Sequence, residues 1–201
     1  MTNNLPKLKA LIRNEPYLKD LVNKDGYTLP FICAEKNYSN AIQIFIDENI
    51  DCKEVIKFTT IFHEAARNNS LETLKLLLRN QPDALINLQD NYYKDTMLHL
   101  ACDRKKIEVI EFLLGHDRID VNIKNKHENT PLHLGCFSSS TKVVAMLLEH
   151  QSIDISVKNS QKKLADELTT DENIKRMIQK KRSQNVEPLN RMERLKSLLN
   201  F

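Results

Sequence analysis

The sequence predicts an all-α solenoid, built of helix-turn-helix units joined by short hairpin loops and stacked in single file. Two periodic patterns predict it. Threonine-led segments recur at 28 ("TLPFICA"), 60 ("TIFHEAA"), 96 ("TMLHLAC") and 130 ("TPLHLGC"), with spacings of 32, 36 and 34. A second apolar pattern follows each at a fixed offset: "SNAIQIFI" (39–46), "LETLKLLL" (71–78), "IEVIEFLL" (107–114) and "TKVVAMLL" (141–148). These stack without a gap, and their apolar positions fall three and four apart, as a helix buried along one broad face requires.

Each element has a local reason. Thr60, Thr96 and Thr130 suit the N-cap, where a hydroxyl accepts an orphan helix amide, and Pro131 suits the first helical position, where no amide is needed. A turn, a second helix and an extended hairpin then lead onward. One such unit cannot bury both its faces, so its neighbours must supply the core. At the N-terminus "LKALIRNEP" (8–16) aligns with "LKLLLRNQP" (74–82), which implies a truncated unit that keeps its second helix. At the other end "DENIKRMI" (171–178) keeps Ile174, Met177 and Ile178 in the apolar columns. It places Arg176 where earlier copies have Ile44, Leu76, Phe112 and Met146, the charged outer face expected of a terminal unit. Beyond a polar link, Leu189, Met192, Leu195, Leu198 and Leu199 recur at helical spacing. That amphipathic helix either docks on the last repeat or binds a partner.

This period, with "TPLHLG" and with "DVN" just ahead of the next hairpin, resembles the ankyrin repeat family. The resemblance spans roughly residues 5–182 and implies an N-terminal half-repeat cap (about 5–24) and repeats over about 25–57, 58–92, 93–126 and 127–160. A C-terminal capping repeat (about 161–182) would complete a domain over 1–182, with linker and helix over 183–201. The family usually places glycine at the hairpin tip and between the two helices. Here the inter-helix position holds Asn37, Asn69, Lys105 and Ser139, and among the tips only Gly26 survives. Asparagine tolerates the left-handed region better than lysine or serine does, so local strain is expected near Lys105 and Ser139. "NLQDNYYKDT" carries one extra residue, so that finger should protrude.

Composition narrows the function. The apolar stretches are too short to span a bilayer, and "MTNNLPKLK" lacks the apolar core of a secretory signal, so a cytoplasmic protein is expected. The chain has four cysteines and no Cys-x-x-Cys pair, which favours reduced thiols. The formal net charge is +3. Residues 171–201 carry eight Lys/Arg against four Asp/Glu, leaving 22 against 23 over residues 1–170, so nucleic acid is not the expected ligand of the main body. Only three glycines occur, and no phosphate loop, zinc helix, calcium loop or nucleophile elbow is present in the sequence. The expectation is a non-enzyme with neither cofactor nor metal, monomeric, with no small-molecule substrate.

The candidate chemistry has bland readings. His63, His99 and His133 share a column, but side chains on successive packed helices stand about 8–10 Å apart, whereas zinc needs nitrogens within about 2 Å. The family resemblance implies instead that this histidine bonds locally and ties neighbouring hairpins and helices together. Cys102 and Cys136 share one column, and Cys33 and Gly135 share the next with Ala65 and Ala101, where close helix approach needs small side chains. His116 and His150 fall at second-helix ends and suit the helix dipole. His127 lies at a hairpin tip beside Lys126 and Glu128.

The resemblance further implies binding through a concave face of hairpin tips and late first-helix positions. In this chain the candidates are Tyr92, Tyr93, Lys94, Lys126, His127 and Glu128 at tips, and Arg67, Asn68, Asp103, Arg104, Phe137 and Ser138 on helices. The expected function is a scaffold holding one unidentified partner protein. Two alternatives stay open. The Asn-, Lys- and Ile-rich composition implies A/T-rich codons, and small ankyrin proteins from such genomes include effectors that intracellular bacteria deliver into the host-cell cytoplasm. The run "QKKRS" (179–183) could instead serve a nuclear or nucleic-acid-associated regulator.

Overall fold

The computed structural model of the chain describes residues 4–15, 17–18, 21–48, 55–56, 59–79 and 85–184. The predicted helix at the C-terminus, including Leu189, Met192, Leu195, Leu198 and Leu199, lies outside the described residues, as does Cys52. The architecture is a helical solenoid. A single N-terminal helix, α1 (Leu5–Asn14), precedes four helical pairs: α2 (Leu29–Glu35) with α3 (Ser39–Asp47), and α4 (Ile61–Arg67) with α5 (Leu71–Leu78). Next come α6 (Met97–Asp103) with α7 (Ile107–Leu114), and α8 (Pro131–Phe137) with α9 (Thr141–Glu149). A 3-10 helix (Ala165–Leu168) and a helix over 172–184 (α10) complete the series.

Every first helix is seven residues long, and each ends in the same way. At its end Asn37, Asn69, Lys105 and Ser139 adopt φ of 56°, 62°, 55° and 51°. The amide of the next residue then reaches back five positions, Tyr38 to Cys33 at 2.8 Å, Ser70 to Ala65 at 2.8 Å, Lys106 to Ala101 at 2.9 Å and Ser140 to Gly135 at 3.2 Å. A left-handed residue followed by this long backward bond is the Schellman ending, which satisfies orphan carbonyls and reverses the chain at once. The inter-helix positions are thus left-handed in all four copies. Lys105 and Ser139 hold that conformation against the Cβ penalty that glycine escapes, and Asn37 and Asn69 against a smaller one.

The fingers repeat a second device. Three return antiparallel to the threonine that opens the next first helix, through Val22 with Thr28, Val55 with Thr60 and Gln89 with Thr96. Closing bonds run from Asn23 to Tyr27 and from Asn125 to Asn129 (both 2.9 Å), and from Asn159 to Lys163 at 3.0 Å. In the finger with one residue more, Asp90 bonds Asp95 across 2.8 Å and Asn91 stands exposed. Lys94, Glu128 and Lys162 fill the left-handed tip position, with φ of 57°, 56° and 61°.

The core is one continuous cluster running the length of the array, with Phe45, Phe62, Leu74, Leu98, Ile110, Leu113, Leu132 and Leu147 fully buried. Successive first helices contact one another more extensively than successive second helices do. The first-helix row is therefore the more closely packed of the two. Gly135 lies where a Cβ would come within 3.1 Å of Val143 Cγ1, which explains why its column holds only small residues. At the N-terminal end α1 rests on α3, held by Ile12 and by an Arg13 to Glu48 ion pair of 2.9 Å. At the C-terminal end Ile174 and Ile178 are buried, Arg176 is exposed, and Arg182 of the basic run pairs with Asp166 at 3.2 Å.

Replacing Lys105 by glycine relieves the left-handed strain without removing any bonded side-chain group that the fold uses. Urea unfolding is expected to show a gain of about 1 kcal/mol, the order of the Cβ penalty less glycine's unfolded-state entropy. A loss of stability would show that the turn is not left-handed.

Candidate protein-binding surface

The three columnar histidines act as clamps between units. Thr60 donates its hydroxyl proton to His63 Nδ1 at 2.8 Å, Thr96 to His99 Nδ1 at 2.8 Å and Thr130 to His133 Nδ1 at 2.9 Å. On the other side of each ring, Nε2 faces a carbonyl of the next finger: Leu88 at 3.0 Å, Asn129 at 2.9 Å and Lys163 at 3.2 Å. A carbonyl can only accept, so Nε2 carries the proton and Nδ1 accepts. Backbone amides of Thr96 and Thr130 also donate to Nδ1, each at 3.2 Å. The cap therefore differs from the simple expectation from sequence. Thr96 also accepts the amide of the third helical residue, at 3.3 Å, whereas the hydroxyl of Thr60 is committed to the imidazole.

Burial holds these rings neutral. Desolvation lowers the pKa of His63 and His133 and brings His99 down to about 4. Burial also pushes the thiols of Cys33 and Cys136 up to about 11 and about 12, and that of Cys102 upward as well, so all three are poor nucleophiles. Among the described residues no three His, Cys, Asp or Glu side chains are grouped to hold a metal ion. No described helix is long and apolar enough to cross a membrane.

The fingers are locked side by side. Lys126 donates its amide to Tyr93 at 2.7 Å, and Ser160 donates to His127 at 3.0 Å. Asn125 donates to Asp95 at 2.7 Å, and Asn159 to the side chain of Asn129 at 2.9 Å. Asn87 and Asn122 form a further ladder beneath, each bonding the loop that follows the next second helix. Its sequence signal is an asparagine three positions before the Asp90 or Asn125 that closes the finger, in "INLQD" and "VNIKN".

This locking places the tip candidates in rows. The edge of one ring of the Tyr92 and Tyr93 pair meets the face of the other at 4.4 Å. Lys126 Nζ stands 5.3 Å from the Tyr92 ring, and His127 lies 6.1 Å from Tyr93. Tyr92 and Tyr93 remain 46% and 45% exposed, and Phe137, at the end of α8, is 67% exposed. Most helical candidates are engaged with their own helix. Arg104 pairs with Asp103 at 3.1 Å and Asn68 donates to Glu64 at 2.6 Å, whereas Arg67 makes only a 3.8 Å ion pair with Glu64 and its buried Nε has no hydrogen-bond acceptor among the described residues. Ser138 spends its hydroxyl on the Gly135 and Cys102 carbonyls, and Glu128 pairs with Lys124 at 3.1 Å. On the other side of the array a cleft of about 680 Å³ lies between the ends of α7 and α9, with His116 and His150 at its rim. Their Nδ1 atoms accept the amides of Arg118 and Ser152.

Stacked helical pairs with fingers locked in register define a helical-repeat array. The chain belongs to the ankyrin-repeat family: the family profile for ankyrin repeats (3 copies) matches residues 1–90 and 62–159. It is also similar to alpha-latrotoxin-Lg1a of Latrodectus geometricus, with 31% identity over 108 residues, which are 52% of this chain and 8% of that protein. The chain thus spans less than a tenth of that relative's length. Ankyrin repeats generally mediate protein–protein interaction, and the family is typically non-catalytic.

Replacing His99 by alanine removes one of the two bonds to the Asn129 carbonyl, leaves the Thr96 hydroxyl proton without its imidazole acceptor and opens a cavity, so a loss of about 3 kcal/mol is expected in urea unfolding. Acid should act through the same rings. A histidine lowered on folding stabilises fully above its unfolded value of 6.5 and loses that contribution as pH falls toward its folded value, about 4 at His99. Asp95, pushed up by burial to about 6, acts in the opposite sense, destabilising as pH rises from 3.8 through 6. Three rings outweigh one carboxylate, so the urea midpoint should fall between pH 6.5 and pH 4, and more steeply in Asp95→Asn. A flat profile in both proteins would contradict neutral buried imidazoles.

Proposed function

We propose that this protein is a non-catalytic scaffold that holds a partner protein on its concave face, with Tyr92, Tyr93 and Phe137 as anchors and Arg67 and Arg104 beside them. The observation that carries this reading is the half-exposed aromatic pair, held on fingers whose backbones are bonded to one another. Aromatic and arginine side chains dominate interface energetics because they bury much area with few rotors. A surface already rigid loses little conformational entropy when it binds, so most of the contact energy appears as affinity. The structural residues Thr60, His63, Thr96, His99, Thr130, Pro131 and His133 serve this function indirectly, by fixing each finger relative to the next unit.

The test replaces Tyr92 and Tyr93 together by alanine. Both rings are exposed, so the circular dichroism spectrum and unfolding midpoint should stay close to the parent. Binding of peptides selected from a random display library on the parent protein should weaken at least tenfold, about 1.4 kcal/mol. Unchanged affinity with an intact fold would remove the pair as anchors.

A further inference from the structure

The fingers concentrate charge that the rest of the body does not carry. Residues 90–95, 124–129 and 158–163 hold six lysines, Lys94, Lys124, Lys126, Lys158, Lys162 and Lys163, against Asp90, Asp95 and Glu128. All six lysines are exposed, whereas Asp90 and Asp95 are buried, accepting bonds from the amides of Tyr92 and Tyr93 and from Asn125. Outside these fingers residues 1–170 keep 16 of their 22 Lys/Arg and 20 of their 23 Asp/Glu, a net of −4. A nearly neutral body is thus divided into a basic ridge and an acidic remainder. Such segregation steers an oppositely charged ligand to the ridge and away from everything else.

Pairing sharpens the contrast. The cations along the first helices are matched locally, Lys36 with Glu35, Arg67 with Glu64 and Arg104 with Asp103. Lys94, Lys126 and Lys162 carry no ion pair among the described residues, and Lys126 faces the Tyr92 ring instead. The backbone bonds from Lys126 to Tyr93 and from Ser160 to His127 hold three successive tips abreast. The pattern offered is a row of cations beside an aromatic pair.

Resting on the scaffold reading above, we propose that the three fingers bind an acidic peptide segment of the partner, laid across the tips from 92–94 through 126–128 to 160–162. Its carboxylates would sit on Lys94, Lys126 and Lys162, with an apolar side chain against Tyr92 and Tyr93. A single-stranded nucleic acid fits less well. Tyr92 and Tyr93 pack edge to face on one another, with Lys126 over one and His127 beside the other, which leaves no open ring stack for bases.

The experiment uses the full chain and fluorescence anisotropy with three fluorescein-labelled probes. These are a 14-residue peptide of Glu and Asp carrying two leucines, the same peptide with Gln and Asn, and a 14-nucleotide oligothymidine. The acidic peptide should bind at least tenfold tighter than the neutral one and lose several-fold in affinity between 50 and 200 mM salt. Lys94→Glu, Lys126→Glu and Lys162→Glu together should weaken it by about twentyfold, a few-fold per exposed charge. The corresponding glutamines, which spare the fold any new repulsion, should weaken it less but measurably. Lys180→Glu with Lys181→Glu should leave it unchanged. Equal binding of the neutral peptide, indifference to the finger reversals, loss in the Lys180/Lys181 variant, or tighter binding of oligothymidine would each overturn the proposal. If library-selected peptides still depended on Tyr92 and Tyr93, the scaffold reading would survive that failure; if they did not, both would fall.

Discussion

The structure depends on one small relay, repeated three times: a threonine hydroxyl, an imidazole and a carbonyl of the following finger. Its unusual property is that it is local and long-range at once. The Thr-to-His part stays within one helical turn and fixes where the first helix begins. The Nε2 part reaches 25 to 30 residues onward and fixes where the next finger stands. Because desolvation keeps the ring uncharged, the relay places no buried charge in the core. Because a neutral ring has one donor and one acceptor, the carbonyl on one side dictates the acceptor on the other.

Everything functional is downstream of that registration. Once each finger is set against the next unit, side chains 30-odd residues apart in sequence become neighbours, as Tyr92 and Lys126 are, or Tyr93 and His127. The side chains doing this work are modest: asparagines at 23, 125 and 159, and Asp90, fold each finger on itself, while Asn125 and Asn159 also reach back to the one before. Among the described residues, seven non-glycine residues meanwhile accept local left-handed strain. It is tolerated because each reversal is overdetermined by the helices or strands on both sides, and its energetic cost is spread thinly over the array.

Much of the fold was legible because a repeat prints its pattern several times. The apolar columns of α3, α5, α7 and α9 and the threonine starts are visible by self-alignment, and even the left-handed role of Lys105 and Ser139 follows from their place in the column. Residues without a column were harder. The extra residue at Asn91 was countable, but that Tyr92 would meet Lys126 and Tyr93 would meet His127 required knowing that the fingers pair by backbone bonds. The engagement of Ser138, Asn68 and Asp103 with their own helices was not legible, since exposure and pairing depend on rotamers that spacing does not encode. Likewise, summed charge over the chain hid the basic ridge, because burial removes Asp90 and Asp95 from the surface and only coordinates reveal burial.

The account stands or falls on the protonation geometry of the three clamps. A long-range proton–nitrogen NMR spectrum of the imidazoles at neutral pH reads that geometry directly. It should show His63, His99 and His133 each as a single neutral tautomer protonated at Nε2, with Nδ1 in the shift range of a hydrogen-bond acceptor. Rings protonated at Nδ1, or averaging between tautomers, would mean that the units are not tied through these carbonyls and that the order of the fingers has another origin.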